Sequence, residues 1–247
     1  MKANMISQFI RSCIFFIVVP VFTMFWSFIC LAVYPLPLRM RHRVVMVWTN
    51  TVISLLKVIC KIDYRFEGLD NIPKERNGII MCKHQSSWET FILPGMFNQT
   101  AIILKRELYW VPFFGWGMLS TDPIAINRKQ GSSAMAQILQ QGKKYLQAGR
   151  WVLVFPEGTR IAPGKVGKYR IGGALLSVES GYPILPVAHN AGEFWSRRQF
   201  IKKPGTVRMV FGPLIEPKGH TAEEVLKLTQ DWIETTMKKI EGSTGAS

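Results

Sequence analysis

From Cys13 to Tyr34 the chain runs through 22 residues without a charge. About 20 apolar residues suffice to cross a bilayer as a helix. Such a segment must be covered by lipid or by protein, so it constrains the fold before any other feature does. A cleaved signal peptide is the alternative, but its apolar region would run only about 7–15 residues. Val44 to Cys60 is a second apolar stretch, and by length it reads as too short for a comfortable span. Basic residues flank the first stretch on both sides: Lys2 and Arg11 before it, Arg39, Arg41 and Arg43 after it. Cytoplasmic flanks are normally the basic ones. With both flanks on one side, the chain dips in and returns, or lies in the interface. Pro20, Pro35 and Pro37 can bend or end helices in such a hairpin. The expectation is a hydrophobic two-helix membrane anchor over residues 1–62, with a single crossing as the competing reading.

The 247 residues fit one domain of ordinary size with some length left over. With 31 Lys and Arg against 16 Asp and Glu, the formal charge is +15. Such a surplus attracts phospholipid headgroups, nucleic acid or phosphorylated substrates. The apolar N-terminus favours the membrane, and no zinc-finger spacing or RNA-binding motif supports nucleic acid. Cys13, Cys30, Cys60 and Cys82 are scattered and form no C-x-x-C pair. That pattern argues against a disulfide framework and a zinc site, and suits a reducing compartment.

Beyond the apolar block the chain alternates strand and helix patterns, hence α/β. Gly78 to Cys82, Thr100 to Leu104, Trp151 to Phe155, Pro183 to Ala188 and Thr206 to Phe211 read as strands. Helices are expected from about Ser86, over Ser133 to Ala148, where Met135, Ile138, Leu139, Tyr145 and Leu146 recur at helical spacing, and over Ile171 to Ser180, stopped by Gly181. Thr221-x-x-Glu224 is a capping box opening a last helix. The expected division is an anchor at 1–62, one domain with a mixed central sheet flanked by helices at 63–240, and a disordered tail at 241–247.

Two short runs carry the chemistry. In Lys83-His84-Gln85-Ser86-Ser87-Trp88-Glu89, the histidine directly follows an apolar strand, at the strand end where α/β sites gather. A neutral imidazole can take the proton of an attacking alcohol, and a carboxylate can fix its tautomer. Positions five apart face different sides of a continuous helix, so His84 and Glu89 meet only if His84 sits in the turn before it. Ser86-x-x-Glu89 is also a capping-box pattern that needs no chemistry. One carboxylate has limited acceptor geometry, so the two roles are expected to coexist only in part. In Phe155-Pro156-Glu157-Gly158-Thr159-Arg160, Gly158 lets backbone approach a ligand closely and Arg160 can grip phosphate bidentately. Glu157 fits there if it holds Arg160, another cation or a ligand hydroxyl. Arg128 could add a cation, and a solvated surface position is its alternative. Cys82-x-His84 lacks further ligands at metal spacing. The run Val111-Pro112-Phe113-Phe114-Gly115-Trp116 reads as a surface packed on lipid or an acyl chain, or as ordinary core.

These runs, in this order, resemble the glycerolipid acyltransferase family in its bacterial 1-acyl-glycerol-3-phosphate acyltransferase branch, from about Gly78 to Pro186. The His-x4-Asp block falls on His84 to Glu89 and the arginine block ends at Arg128. The Phe-Pro-Glu-Gly-Thr-Arg block is matched in full, and a Pro-rich strand falls on Pro183 to Val187. The resemblance implies a single acyltransferase domain, with His84 as general base and Glu89 orienting it. Arg128, Glu157, Gly158, Thr159 and Arg160 would hold the acceptor, and Lys105 would stabilise the oxyanion. It also implies acyl transfer onto lysophosphatidic acid, giving phosphatidic acid, at a phospholipid membrane. The thioester donor is acyl-CoA or acyl carrier protein, with no cofactor and no metal. The implied location is the inner membrane, with the site facing the cytoplasm. Most of the family has Asp where Glu89 stands and commonly Asn where Lys83 stands, which loosens the acceptor assignment. Another lysolipid, such as one with an amino-acid headgroup, is the rival acceptor; a non-catalytic lipid-binding protein is the rival class.

Overall fold

The structure, a computed structural model, describes residues 2–97 and 99–241. Its seven strands are β1 (Ile62–Glu67), β2 (Ile79–Cys82), β3 (Ala101–Lys105), β4 (Ile124–Ile126), β5 (Val152–Val154), β6 (Ile184–His189) and β7 (Gly205–Phe211). They form one mixed sheet in the order β1-β7-β6-β2-β5-β3-β4. The β6–β7 pair is antiparallel and the other neighbours are parallel. Its central strand β2 buries all four of its residues. A strand covered on both faces by a parallel sheet's helices needs such a continuous apolar run. Strand β1 alternates apolar and polar as Ile-Asp-Tyr-Arg-Phe-Glu, the pattern of a half-covered edge. That pattern marks a strand that the sequence reading passed over.

The helices are α1 (Lys2–Ala32), α2 (Leu38–Cys60), α3 (Trp88–Met96), α4 (Phe114–Leu119), α5 (Gly131–Gln147), α6 (Gly172–Ser180), α7 (Ala191–Phe194) and α8 (Ala222–Glu241). Helix α5 buries Ala134, Ile138, Gly142 and Leu146, one residue every four. The capping box of α8 is made: Thr221 N–H donates to Glu224 at 2.9 Å and Glu224 N–H to Thr221 Oγ1 at 3.3 Å. Helix α8 includes Glu241, which accepts from Gln85 Nε2 at 3.0 Å, so the expected tail loses its first residue to the helix. Residues 242–247 lie outside the described residues.

The apolar N-terminus forms two antiparallel helices, held by Trp26 Nε1 donating to Val44 O and Trp48 Nε1 to Thr23 Oγ1, both 3.1 Å. Pro20 lies inside α1, while Pro35 and Pro37 occupy the connection. The second helix is longer than the apolar stretch predicts. Its 23 residues start at Leu38, because Arg39, Arg41 and Arg43 form its first turns. That corrects the length argument, since the helix is long and apolar enough to cross a membrane, as α1 is. Yet α2 also buries Trp48, Val52, Ile53 and Leu56 in one core with Ile80, Trp88, Leu93 and Phe97. The core therefore crosses the boundary expected at residue 62. Helix α1 is different, leaving Phe9, Ile17, Phe25 and Phe28 at least half exposed. A contiguous apolar face of this kind marks a membrane or partner surface, and the two helices suggest membrane association.

Candidate active site

Strands β2, β5, β3 and β4 lie side by side and parallel, so their C-terminal ends emerge on one edge. His84 follows β2, Phe155 to Arg160 follow β5, Lys105 ends β3 and Arg128 follows β4. His84, Lys105, Arg128, Gly158, Thr159 and Arg160 consequently line one cavity of about 360 Å³. Its remaining wall is largely apolar: Val45 and Trp48 from α2, Phe91 from α3, Ile103 from β3, and Leu108, Phe114 and Met118.

His84 sits in the turn before α3, and Glu89 is in that helix's first turn. Their side chains meet, with Nδ1 2.8 Å from Glu89 Oε1. The same oxygen accepts from Gln85 N–H at 3.0 Å and Ser86 N–H at 2.8 Å. Ser86 Oγ in turn accepts from Trp88 N–H at 3.3 Å. Helix capping and the histidine contact were expected to compete for the carboxylate; they converge on one oxygen instead. Glu89 is fully buried. Burial works against its charge, but the imidazoles of His189 and His84 and the Ser86 N–H hold its carboxyl below the ordinary value. An ionised carboxylate only accepts, so Nδ1 carries the hydrogen and Nε2 the lone pair. The imidazole stacks on Phe155 with centroids 4.2 Å apart, and its backbone is held at both ends. His84 N–H donates to Glu157 Oε2 at 2.8 Å, and His84 O accepts from Ile161 N–H at 2.7 Å.

The turn after β5 gathers cations. Gly158 has φ +66, which favours glycine, and a Cβ there would also lie 3.0 Å from Arg170 Nε. Arg128 Nη1 donates to Gly158 O. Arg160 Nη1 donates to Ser87 Oγ at 2.9 Å, which ties the turn to the start of α3. Glu157 is placed differently from its neighbours. It does not line the cavity; it lies buried behind the turn, with Oε1 2.7 Å from Lys83 Nζ. Lys83 also reaches Glu234 of α8 at 2.8 Å. Of the three partners open to Glu157 in the sequence, the structure selects another cation. His189, fully buried at the end of β6, donates from Nε2 to Lys83 O at 2.8 Å and accepts at Nδ1 from Ala191 N–H at 3.2 Å.

The acyltransferase family model matches residues 63–190. A 1-acyl-sn-glycerol-3-phosphate acyltransferase of Pseudomonas aeruginosa is 42% identical over 238 residues, covering 94% of this chain and 92% of that protein. This chain belongs to the acyltransferase family. A protein of the same description from Borreliella burgdorferi is 30% identical over 176 residues, 70% of each. The crystal structure of the 1-acyl-sn-glycerophosphate (LPA) acyltransferase PlsC from Thermotoga maritima superposes with a TM-score of 0.81, covering 96% of this chain and 98% of that one. At 23% identity the likeness is one of fold.

Three features of this acyltransferase's site escaped the sequence reading. Lys83 stood beside the histidine in plain view, yet its carboxylate partners come from 74 and 151 residues away. Arg170 approaches Gly158 from a loop without a motif. Arg197 enters the cavity from the segment after α7, where nothing in the sequence sets it apart from Arg198 beside it.

Proposed function

We propose that this acyltransferase moves a fatty acyl group from a phosphopantetheine thioester to the sn-2 hydroxyl of 1-acyl-glycerol-3-phosphate, giving phosphatidic acid. One observation carries the reading: a carboxylate-oriented imidazole shares a single cavity with arginines at one end and an apolar wall elsewhere. Arg128 and Arg160, with Thr159 and the Gly158 backbone, hold the acceptor phosphate. Glu157 serves the same site from behind, by fixing the His84 backbone. The apolar wall takes an acyl chain. The names of the relatives from Pseudomonas aeruginosa and Borreliella burgdorferi support the same acceptor.

The step is direct. His84 Nε2 takes the hydroxyl proton as the oxygen attacks the thioester carbonyl, and Glu89 stabilises the imidazolium that forms. Base catalysis of this kind contributes roughly 10²–10⁴-fold. Lys105 faces the developing oxyanion. Collapse breaks the C–S bond, and the imidazolium returns its proton to the thiolate. The chain's own residues supply each proton transfer, and coenzyme A or acyl carrier protein presents the acyl group as co-substrate.

Residues 1–62 anchor the enzyme and 63–240 carry out transfer, on the cytoplasmic face of the inner membrane. Helix α1 touches the body at two well-separated points: Ser12 Oγ accepts from Lys202 N–H at 2.9 Å, and Ser120 Oγ donates to Cys30 O at 3.2 Å. These ties are 18 residues apart, about 27 Å along a helix. A helix held along its length by a polar domain lies in one leaflet. Its basic flanks then share one side of the membrane.

The test is acyl transfer by the purified full chain in detergent, with a long-chain acyl-CoA and then acyl carrier protein as donor. Phosphatidic acid is expected from wild type. His84→Ala is expected to lose turnover while keeping its fold and its membrane binding. Turnover retained in His84→Ala would remove the base assignment. A different lysolipid reacting best would replace the named acceptor, and silence with both donors would favour a non-catalytic protein.

A further inference from the structure

We infer that Arg197 is a third arm of the acceptor site, and that it distinguishes a phosphomonoester from a phosphodiester headgroup. The inference rests on the proposed acceptor reading and adds a residue that no motif contains. Arg197 lines the cavity together with His84, Arg128 and Arg160. Its Nη1 donates to Thr159 Oγ1 at 3.0 Å and to Arg160 O at 3.2 Å, so the guanidinium is fixed against the turn that carries the phosphate-binding residues. An arginine has five N–H donors in a rigid fork. Fixing one edge leaves the rest of the fork preorganised for an anion.

The charges around this turn are unbalanced. The ion pairs among the described residues do not include Arg128, Arg160 or Arg197. Burial holds the Arg160 pKa below its ordinary value; the Glu89 carboxylate works against that lowering, and the nearby Arg197 guanidinium adds to it. Glu89 and Glu107 act on Arg160 and Arg128 from beyond ion-pair contact; guanidiniums brought together without a directly paired carboxylate still repel one another, and a bound dianion relieves that repulsion. A phosphomonoester carries about −1.5 to −2 at pH 7; a phosphodiester carries a single charge. Two arginines suffice for the diester, and a third answers the additional charge.

The position of Arg197 is also built rather than incidental. The segment that presents it is anchored on both sides to the membrane helix α1. Trp195 packs edge-on to Phe15 at 5.6 Å, and Phe200 stacks on Phe16 at 4.8 Å. Lys202 N–H closes the clasp on Ser12 Oγ at 2.9 Å. Helix α1 thereby holds a side chain of the acceptor site in place.

The experiment compares wild type with Arg197→Gln, Arg197→Lys and the exposed-neighbour control Arg198→Gln, all as the full chain in detergent. The acceptors are 1-oleoyl-glycerol-3-phosphate and 1-oleoyl-glycerophosphoglycerol, a diester. For Arg197→Gln the KM for the monoester is expected to rise on the order of 10- to 100-fold, the loss of a charge-assisted contact, with the donor KM unchanged. The monoester-to-diester preference is expected to fall at least about tenfold, Arg197→Lys to recover part of it, and Arg198→Gln to match wild type. A second readout needs no turnover: glycerol-3-phosphate is expected to raise the melting temperature of wild type and to lose that effect in Arg197→Gln. An unchanged acceptor preference in Arg197→Gln would overturn the inference, even with kcat reduced. If wild type makes no phosphatidic acid, the proposed function fails. The inference then stands or falls on the glycerol-3-phosphate shift alone.

Discussion

Lys83 and Lys202 are each only 1% exposed, yet their surroundings are opposites. Lys83 lies behind the active edge of the sheet, 2.7 Å from Glu157 and 2.8 Å from Glu234. Lys202 lies against the apolar helix α1, with Nζ 3.6 Å from the Phe16 ring centroid and 5.3 Å from that of Trp195. Its polar contact is Phe200 O at 3.1 Å. Burial works against both charges. At Lys83 two carboxylates overcome it and hold the pKa above its ordinary value. At Lys202 burial prevails and brings the pKa from 10.5 to about 8. Burial alone does not decide what a charge does in a fold; the partners decide. The first lysine joins three distant segments behind His84. The second fastens an apolar helix to the body mainly through its stem and the rings around it.

The same substitution at the two positions should therefore act with opposite sign. Lys83→Met is expected to be the larger change. It leaves Glu157 buried against the His84 N–H without its cation, and breaking a buried pair from one side costs about 3–5 kcal/mol. For a chain of this size that lowers Tm by roughly 10 °C, measurable by thermal scanning in detergent. Activity should fall as well, since Glu157 holds the backbone of His84. The double variant Lys83→Met/Glu157→Gln should regain part of the stability, because it removes the stranded charge. A double variant no more stable than Lys83→Met would show that the pair is not the operating unit, and the contrast with Lys202 would lose its basis.

The two lysines also mark how far the sequence could be read. Local patterns were legible where one segment meets its own requirement. The apolar run of β2 announces a covered strand, and His84 with Glu89 is a contact made within five residues. Glu157 was legible as needing a cation or a ligand hydroxyl, but the choice of Lys83 depends on strands β2 and β5 being neighbours in the sheet. The extent of α2 was misjudged because hydropathy ends at the arginines, whereas backbone hydrogen bonding continues through them to Leu38. Arg197 meets Thr159 and Arg160 from 38 and 37 positions away, and the aromatic enclosure of Lys202 joins the segment after α7 to residues near the N-terminus, about 190 positions apart. A contact of that separation leaves no trace in local periodicity.

The smaller effect is the sharper test of the comparison. Lys202→Met keeps the length and apolar character of the stem and removes the charge, so it is expected to stabilise the fold at pH 7, by about 1–2 kcal/mol. The aromatic rings attract the ammonium and limit the gain. The sign with pH follows from the direction of the shift. The folded value, about 8, is below the ordinary 10.5. Between those two values the unfolded chain binds a proton that the folded chain has released, so wild-type stability rises with pH across that window. The advantage of Lys202→Met should therefore shrink above pH 8 and vanish near pH 10.5. Taking the difference between the two proteins cancels the other groups that titrate there. Melting curves of both across pH 7–10.5 decide the matter. A constant gap would mean that Lys202 keeps its charge throughout, held by its rings as firmly as Lys83 is held by its carboxylates.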